Sequence, residues 1–396
     1  MLFVLLLTLI PAPEEARRSQ QTPITCLVCG EIGMQDVLQN VAMLLPLGVG
    51  LGLAGIGLAR ATAVGFALAL AVELLQYTVV AGRDASLSDV VTNTLGTAVG
   101  VLLARRLHLL LRPSPRQAAT LAVTMLGVWL ACWIAGAWML GLSAGPDPWR
   151  LWLRPALIDA PPFEGEVRAA SVSGVPLPRE VQYDSGQVSA RYARDTVVVR
   201  MDLVAGPPTT SRRGLLELKD GNHRVNGIVA QMAGDARLAV RTRSSLWLLR
   251  PLRFRAPDVL AAPEGTPIQL DLRREGGWMA TGEAHAGAPA TRTGIGPHWL
   301  SFLLLPIDAR PGAAWEAFAY WWVALSLALV GWWAMHAGAT LRPALAGVAA
   351  LLAAAALALV PARFGLAPTS AMGWAIAGGA LLSGLLLGGG RRRSRP

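Results

Sequence analysis

The stretch "VELLQYTVVAGRDASLSDVVTNTLG", Val72 to Gly96, sets an apolar run, a polar turn and a second apolar run side by side. Greasy sequence continues on both sides, so it reads as two membrane helices joined by a short hairpin. Within it stand Glu73, Gln76, Arg83, Asp84, Asp89 and Asn93. An ionised group at the centre of a bilayer costs about 2.5–3.5 kcal/mol on insertion scales. That cost selects for a position facing other helices, where the group can be paired, hydrated or protonated. Glu73 is the most informative, because it lies roughly 12 Å inside its run at a rise of about 1.5 Å per residue.

The rest of the chain shares this character. It has 396 residues, of which 53% are hydrophobic, and a mean hydropathy of +0.45. The apolar residues come in blocks of about 20, long enough to cross a bilayer as helices. Candidate spans run over 1–11, 38–59, 61–81, 89–111, 117–141, 315–336, 342–362 and 368–388. The first is too short before Pro11, which makes it a half-span, an export signal or the remainder of a longer segment.

The formal net charge is +10, and Lys219 is the single lysine. Arginines crowd the short connections: Arg60, Arg105, Arg106, Arg112, Arg116, Arg342, and Arg391 to Arg393 in the tail. Positive loops of this kind mark the cytoplasmic side of a membrane protein. The charge therefore speaks for topology and against a nucleic-acid partner. This orientation places the first loop (12–37), the hairpin (82–88) and the long middle segment (142–314) outside, with the C-terminus cytoplasmic. Trp315, Trp321 and Trp322 near one end of a span, with Trp332 and Trp333 near the other, have the spacing of interfacial belts.

Residues 142–314 differ in kind, being richer in Pro, Gly, Arg and Asp. "TVVVRMDL" (196–203), "RLAVRTRS" (237–244) and "IQLDLRRE" (268–275) alternate as strands do. "KDGN" (219–222) is a turn. Short strands at this spacing favour an antiparallel sandwich, with "GPDPW" (145–149) and "DARPG" (308–312) as its linkers to the membrane. The expected fold is an α-helical polytopic membrane protein of about eight transmembrane helices, with an inserted extracytoplasmic antiparallel β-sandwich. Its parts are a four-helix membrane module (1–111), a fifth helix (112–141), the β-rich domain (142–314), three C-terminal helices (315–390) and a basic tail (391–396).

Polar pairs recur at helical spacing: Asp36 with Asn40, Glu73 with Gln76, and Asp89 with Asn93. Residues three or four apart share one helix face, so three helices present polar stripes to one another. Gln76, Arg83, Asn93 and Asn40 are candidate partners of Glu73. Blander roles exist for the others. Ser86 to Asp89 has the form of a capping box. Asp36 suits a helix N-terminus, Arg83 and Asp84 suit a solvated turn, and Asn93 suits a contact between helices. "GTAVG" (96–100) and "GVGLGLAGIG" (48–57) supply small faces for close packing.

"DVLQNVAMLLPLG" (36–48), "VELLQ" (72–76) and "RDASLSDVVTNTLGTAVG" (83–100) together resemble the VanZ-like family over residues 1–111. The pattern joins an Asp–Asn pair and a Pro-Leu-Gly helix to a Glu–Gln helix, an Arg-Asp turn and an Asp–Asn–Gly helix. By resemblance the signature positions are Asp36, Asn40, Pro46, Gly48, Glu73, Gln76, Arg83, Asp84, Asp89, Asn93 and Gly96. The family takes its name from a protein linked to glycopeptide (teicoplanin) resistance. The likeness therefore implies a bacterial cell-envelope setting and a plasma-membrane location. "RRGLLELKDGNHRVNGIVAQMAGDARLAVRTR" (212–243) resembles a laminin-G or concanavalin-like sandwich, which would imply a carbohydrate or protein ligand for the outer domain.

Other chemistry is sparse. Cys26 and Cys29 in "CLVCG" read as a local disulfide, a reduced pair or a redox pair. The outward face favours oxidation, and no second ligand pair accompanies them for a metal. Cys132 reads as packing. No cofactor or metal motif occurs. Three functions follow. The first is a binding protein for an amphipathic envelope ligand, such as a cell-wall lipid precursor or a glycopeptide-like molecule. The second is an intramembrane hydrolase or transferase acting on a polyprenyl-linked substrate, with Glu73 as acid or base. The third is a proton-coupled transporter using Glu73, against which no broken helix pair is visible in the sequence.

Overall fold

The computed structural model describes residues 28, 32–78, 86–157, 160–177, 181–184, 186–282, 284–285, 290–305 and 307–390. The expected first span (1–11), Cys26, Cys29, Arg83, Asp84 and the basic tail 391–396 lie outside the described residues. The chain divides into two compact units. The first takes in the described residues up to Pro113 together with Ser245–Arg250; the second holds Ser114–Ser244 and the chain from Pro251 onward.

Three helices build the first unit: α1 (Gly33–Leu53), α2 (Leu58–Thr78) and α3 (Leu87–Leu111). Each is long and apolar enough to cross a membrane. Helix α1 starts five residues ahead of the block expected from 38, so Asp36 falls in its first turn. Small residues set the packing. A Cβ added at Gly48 would sit 2.0 Å from the Thr97 carbonyl oxygen, and one at Gly100 would sit 2.2 Å from that of Leu45. Backbone therefore meets backbone along the α1–α3 seam. Helix α2 joins through Gly65, which lies against the Thr97 side chain.

The second unit opens with α4 (Pro115–Met139), started by a capping box between Ser114 and Gln117. Strands β1 (Trp149–Leu153), β2 (Glu166–Val172), β3 (Val175–Pro176) and β4 (Val181–Asp184) follow, then the short helix α5 (Gln187–Tyr192). Next come β5 (Thr196–Val204), β6 (Arg212–Lys219), β7 (Val225–Met232) and β8 (Asp235–Val240). Strands β9 (Leu252–Ala256), β10 (Pro267–Glu275), β11 (Trp278–Thr281) and β12 (Thr291–Gly294) complete the set. They form two antiparallel six-stranded sheets, ordered β4-β1-β6-β7-β8-β9 and β12-β11-β10-β5-β2-β3. Leu151, Leu218 and Phe254 of one sheet and Val199, Leu203 and Leu272 of the other share a single core, as in a sandwich.

The chain closes with α6 (Leu300–Leu304), α7 (Ala313–Ala319), α8 (Trp321–His336), α9 (Arg342–Arg363) and α10 (Ala371–Gly390). Among the described residues, six single helices qualify as spans, and α7 with α8 makes a seventh only as a bent pair. The protein is thus a polytopic helical membrane protein carrying an antiparallel β domain. The block at 315–336 is not one helix, for the chain turns by 47° at Tyr320. Its ring stacks on His298 with centroids 4.1 Å apart, and Trp322 Nε1 donates to the His298 carbonyl at 3.2 Å. Burial pulls the His298 imidazole down to about 3, which keeps it neutral. This break overturns the expectation that the membrane part has no broken helix pair.

The two proline-bearing connections are held by hydrogen bonds and an ion pair. Gly221 N–H donates to the Pro146 carbonyl at 2.7 Å. Ala309 exchanges backbone bonds with Arg253 and Arg255 beside β9, and Asp308 pairs with Arg237 at 2.6 Å.

The step from α4 into the sandwich is stitched by a buried arginine. Arg274 is fully enclosed, and its guanidinium donates to the Leu140 carbonyl at the end of α4. Asp195 lies 4.0 Å from Arg274 and accepts from the Leu142 N–H at 2.6 Å. Burial pulls the guanidinium down to about 10, opposed by the Asp195 carboxylate. Removing the Arg274 side chain leaves the Leu140 carbonyl without its donor, at about 1–3 kcal/mol, and empties a fully buried site, whereas Asp195 keeps access to water. Arg274→Ala is therefore expected to lower stability by about 3 kcal/mol and to expose the α4 junction to proteolysis. Thermal unfolding in detergent with limited proteolysis reads this, and an unchanged midpoint would refute the strut.

Candidate functional site

The polar stripes meet where α3 begins. Ser86 is the N-cap of α3, and its hydroxyl accepts from the Ser88 N–H at 3.1 Å. In a full capping box the Asp89 carboxylate would return to the Ser86 N–H. Here Glu73 of α2 takes that N–H instead, with Oε2 at 2.8 Å. The Asp89 carboxylate is left to accept from Asn40 Nδ2 of α1, also at 2.8 Å. The start of α3 is thereby tied to both neighbouring helices. Each bond joins a carboxylate to a neutral donor, which is stronger than a bond between neutral groups.

Burial sorts the site into two layers. Glu73, Gln76 and Asn93 are buried, whereas Asp36 is exposed. Gln76 has a bonding or electrostatic partner within the structure. Asn93, at 3% exposure, has a side-chain carbonyl oxygen without a hydrogen-bond partner among the described residues. The Asp36 carboxylate feels the negative charge of Asp89 across the α1–α3 seam. Negative groups at this place are favoured by the positive end of the α3 dipole. The site thus offers acids and amide groups converging from three helices. Among the described residues no group of three or more side chains suits a metal ion.

Of the sequence-predicted positions, Asp36, Asn40, Glu73, Gln76, Asp89 and Asn93 all fall within this one unit. Asn40, considered as a partner for Glu73, donates to Asp89. Two participants had no sequence signal. The Ser86 backbone N–H belongs to no residue type, so no motif announces it. Gln35, next to Asp36 but on a buried face, accepts from the Arg250 N–H at 3.2 Å and donates its own N–H to the Leu248 carbonyl at 3.4 Å. A contact between positions so far apart in the chain leaves no local pattern.

The β domain has a feature of its own, a cleft of about 190 Å³ lined by Phe163, Pro207, Pro208, Gln231, Leu260 and Ile268 among others. Its walls are largely apolar.

Comparison with known proteins gives a match in the N-terminal part of the chain. Residues 1–111 match the VanZ/LLP1 family model. No curated protein and no solved structure matches the chain.

Proposed function

We propose that this VanZ/LLP1-like module holds the polar head of an amphipathic envelope molecule, a cell-wall lipid precursor or a glycopeptide-like compound, among Glu73, Gln76, Asp89 and Asn93. The observation that carries this reading is the paired use of two carboxylates, Glu73 on the Ser86 N–H and Asp89 on Asn40. Together they draw three apolar helices around one polar point. Intramembrane ionisable residues that face a bundle interior mark ligand or ion sites by default. The family match supports a link to glycopeptide resistance in a bacterial inner membrane. The arginine-rich short connections support a site that opens outward, with the exposed Asp36 at its mouth and the C-terminus in the cytoplasm. The cleft of the β domain supports a second ligand there, with an apolar group to fill walls of that kind.

Two other readings share the same residues. An intramembrane hydrolase or transferase would use Glu73 as acid or base. A proton-coupled transporter would use Glu73 to carry the proton. Mass spectrometry of lipids co-purifying with the protein, followed by titration with labelled precursor, separates the three. Saturable binding without turnover is expected, weakened about 5-fold or more in Asp89→Asn, as befits loss of about 1 kcal/mol when a charged hydrogen bond becomes neutral. Turnover of the precursor would favour the enzyme, and pH-driven flux in liposomes the transporter. Equal precursor affinity in both proteins would remove Asp89 from the site.

A further inference from the structure

We propose that Ser245–Arg250 is a membrane-surface anchor whose Leu246 and Trp247 enter the lipid headgroup layer beside the first turn of α1. This does not depend on which molecule the polar site takes.

The placement follows from backbone bonds inside the first unit. Gln35, in the first turn of α1, donates to the Leu248 carbonyl and accepts from the Arg250 N–H. Helix α1 is a span, and its exposed Leu38 lies one turn further along. A segment bonded at Gln35 therefore sits level with the end of a lipid-facing helix, at the depth where aromatic belts form.

What the segment displays suits that depth. Leu246 and Trp247 are 61% and 57% exposed, whereas Leu249 and Arg250 are buried. Among the described residues of 142–312, large apolar side chains are exposed at only one other place, Val181 and Tyr183 on β4. The display is also held in shape. Leu248 takes a φ of +53°, in the left-handed region that L-residues adopt at a cost. Its N–H closes a turn onto the Ser245 carbonyl at 3.2 Å, and just ahead of the segment the Thr242 and Ser244 hydroxyls pair at 2.7 Å. A fixed turn that points a leucine and a tryptophan outward beside a span end matches an interfacial site, where an amphipathic ring has an apolar body to bury and an N–H to leave wet.

The test uses the full chain in vesicles of phosphatidylethanolamine and phosphatidylglycerol, with Cys26, Cys29 and Cys132 replaced by serine. A single cysteine is introduced as Trp247→Cys or, independently, Leu246→Cys, and carries an environment-sensitive fluorophore. Asp202→Cys, at an exposed position on β5, provides the solvent reference. Emission at 246 and 247 is expected to shift to the blue of that at 202. It should be quenched by lipid bearing a nitroxide near the headgroup and shielded from aqueous iodide. Emission and iodide quenching equal to those at 202 would overturn the anchor. Shielding from both quenchers would overturn it too, since protein rather than lipid would then cover the segment.

Discussion

Replacing Gly96 by leucine is expected to leave no stably folded N-terminal module. A Cβ at this position would sit 2.2 Å from the Val41 carbonyl oxygen, and real contacts do not come so close. The obstacle is helix backbone, which has no rotamer to change, so α1 and α3 must separate. Separation would also part Asn40 from Asp89, whose 2.8 Å bond spans the same seam. Overpacking costs about 1–3 kcal/mol where neighbours can shift. With backbone as the neighbour, the loss is expected to exceed about 3 kcal/mol, a large share of a typical stability of about 5–15 kcal/mol. Gly50→Leu is the control, because nothing lies within 4 Å of a Cβ added there. It should melt like the parent, while Gly96→Leu aggregates or melts far lower in detergent. Equal midpoints for both variants would mean that the seam is looser than it stands here.

How much of this was legible depended on whether the physics acted locally. A carboxylate inside an apolar run is conspicuous because hydrocarbon penalises it, so Glu73 stood out. Its bonding partner did not, because a backbone N–H carries no letter. Ser86 and Asp89 gave half of their roles away. The serine does cap α3, but the aspartate spends its carboxylate on another helix. Strands β5 and β10 were readable by alternation, and that parity already put Arg274 on the same face as Leu270 and Leu272. Charge concealed the implication, since an arginine on a strand ordinarily faces water, whereas this one is enclosed. The break at Tyr320 was invisible for a different reason. "AAWEAFAYWWVA" (313–324) contains neither proline nor glycine, and the turn accompanies a ring stack on His298, a residue far back in the sequence.

Glu73 separates structure from binding most sharply, because different substitutions there affect different properties. The Ser86 N–H is an orphan donor at a helix start, and in its partly buried place Glu73 is the acceptor that satisfies it. Glu73→Ala removes that acceptor, at a cost of about 1–3 kcal/mol for the stranded donor. Glu73→Gln keeps an oxygen at the same reach, so its midpoint should stay near that of the parent. The charge is gone in both. If the carboxylate holds a ligand head, its loss weakens the contact by about 1–2 kcal/mol, or roughly 5- to 30-fold in affinity. Glu73→Asp supplies the third corner, with charge retained on a chain one methylene shorter that no longer reaches Ser86. Its midpoint is expected to fall towards that of Glu73→Ala while part of the binding survives. Thermal midpoints and precursor titrations on the same preparations read both axes at once. A glutamine variant that folds and binds like the parent would reduce Glu73 to a cap acceptor for α3, and the ligand would have to be sought elsewhere in the bundle.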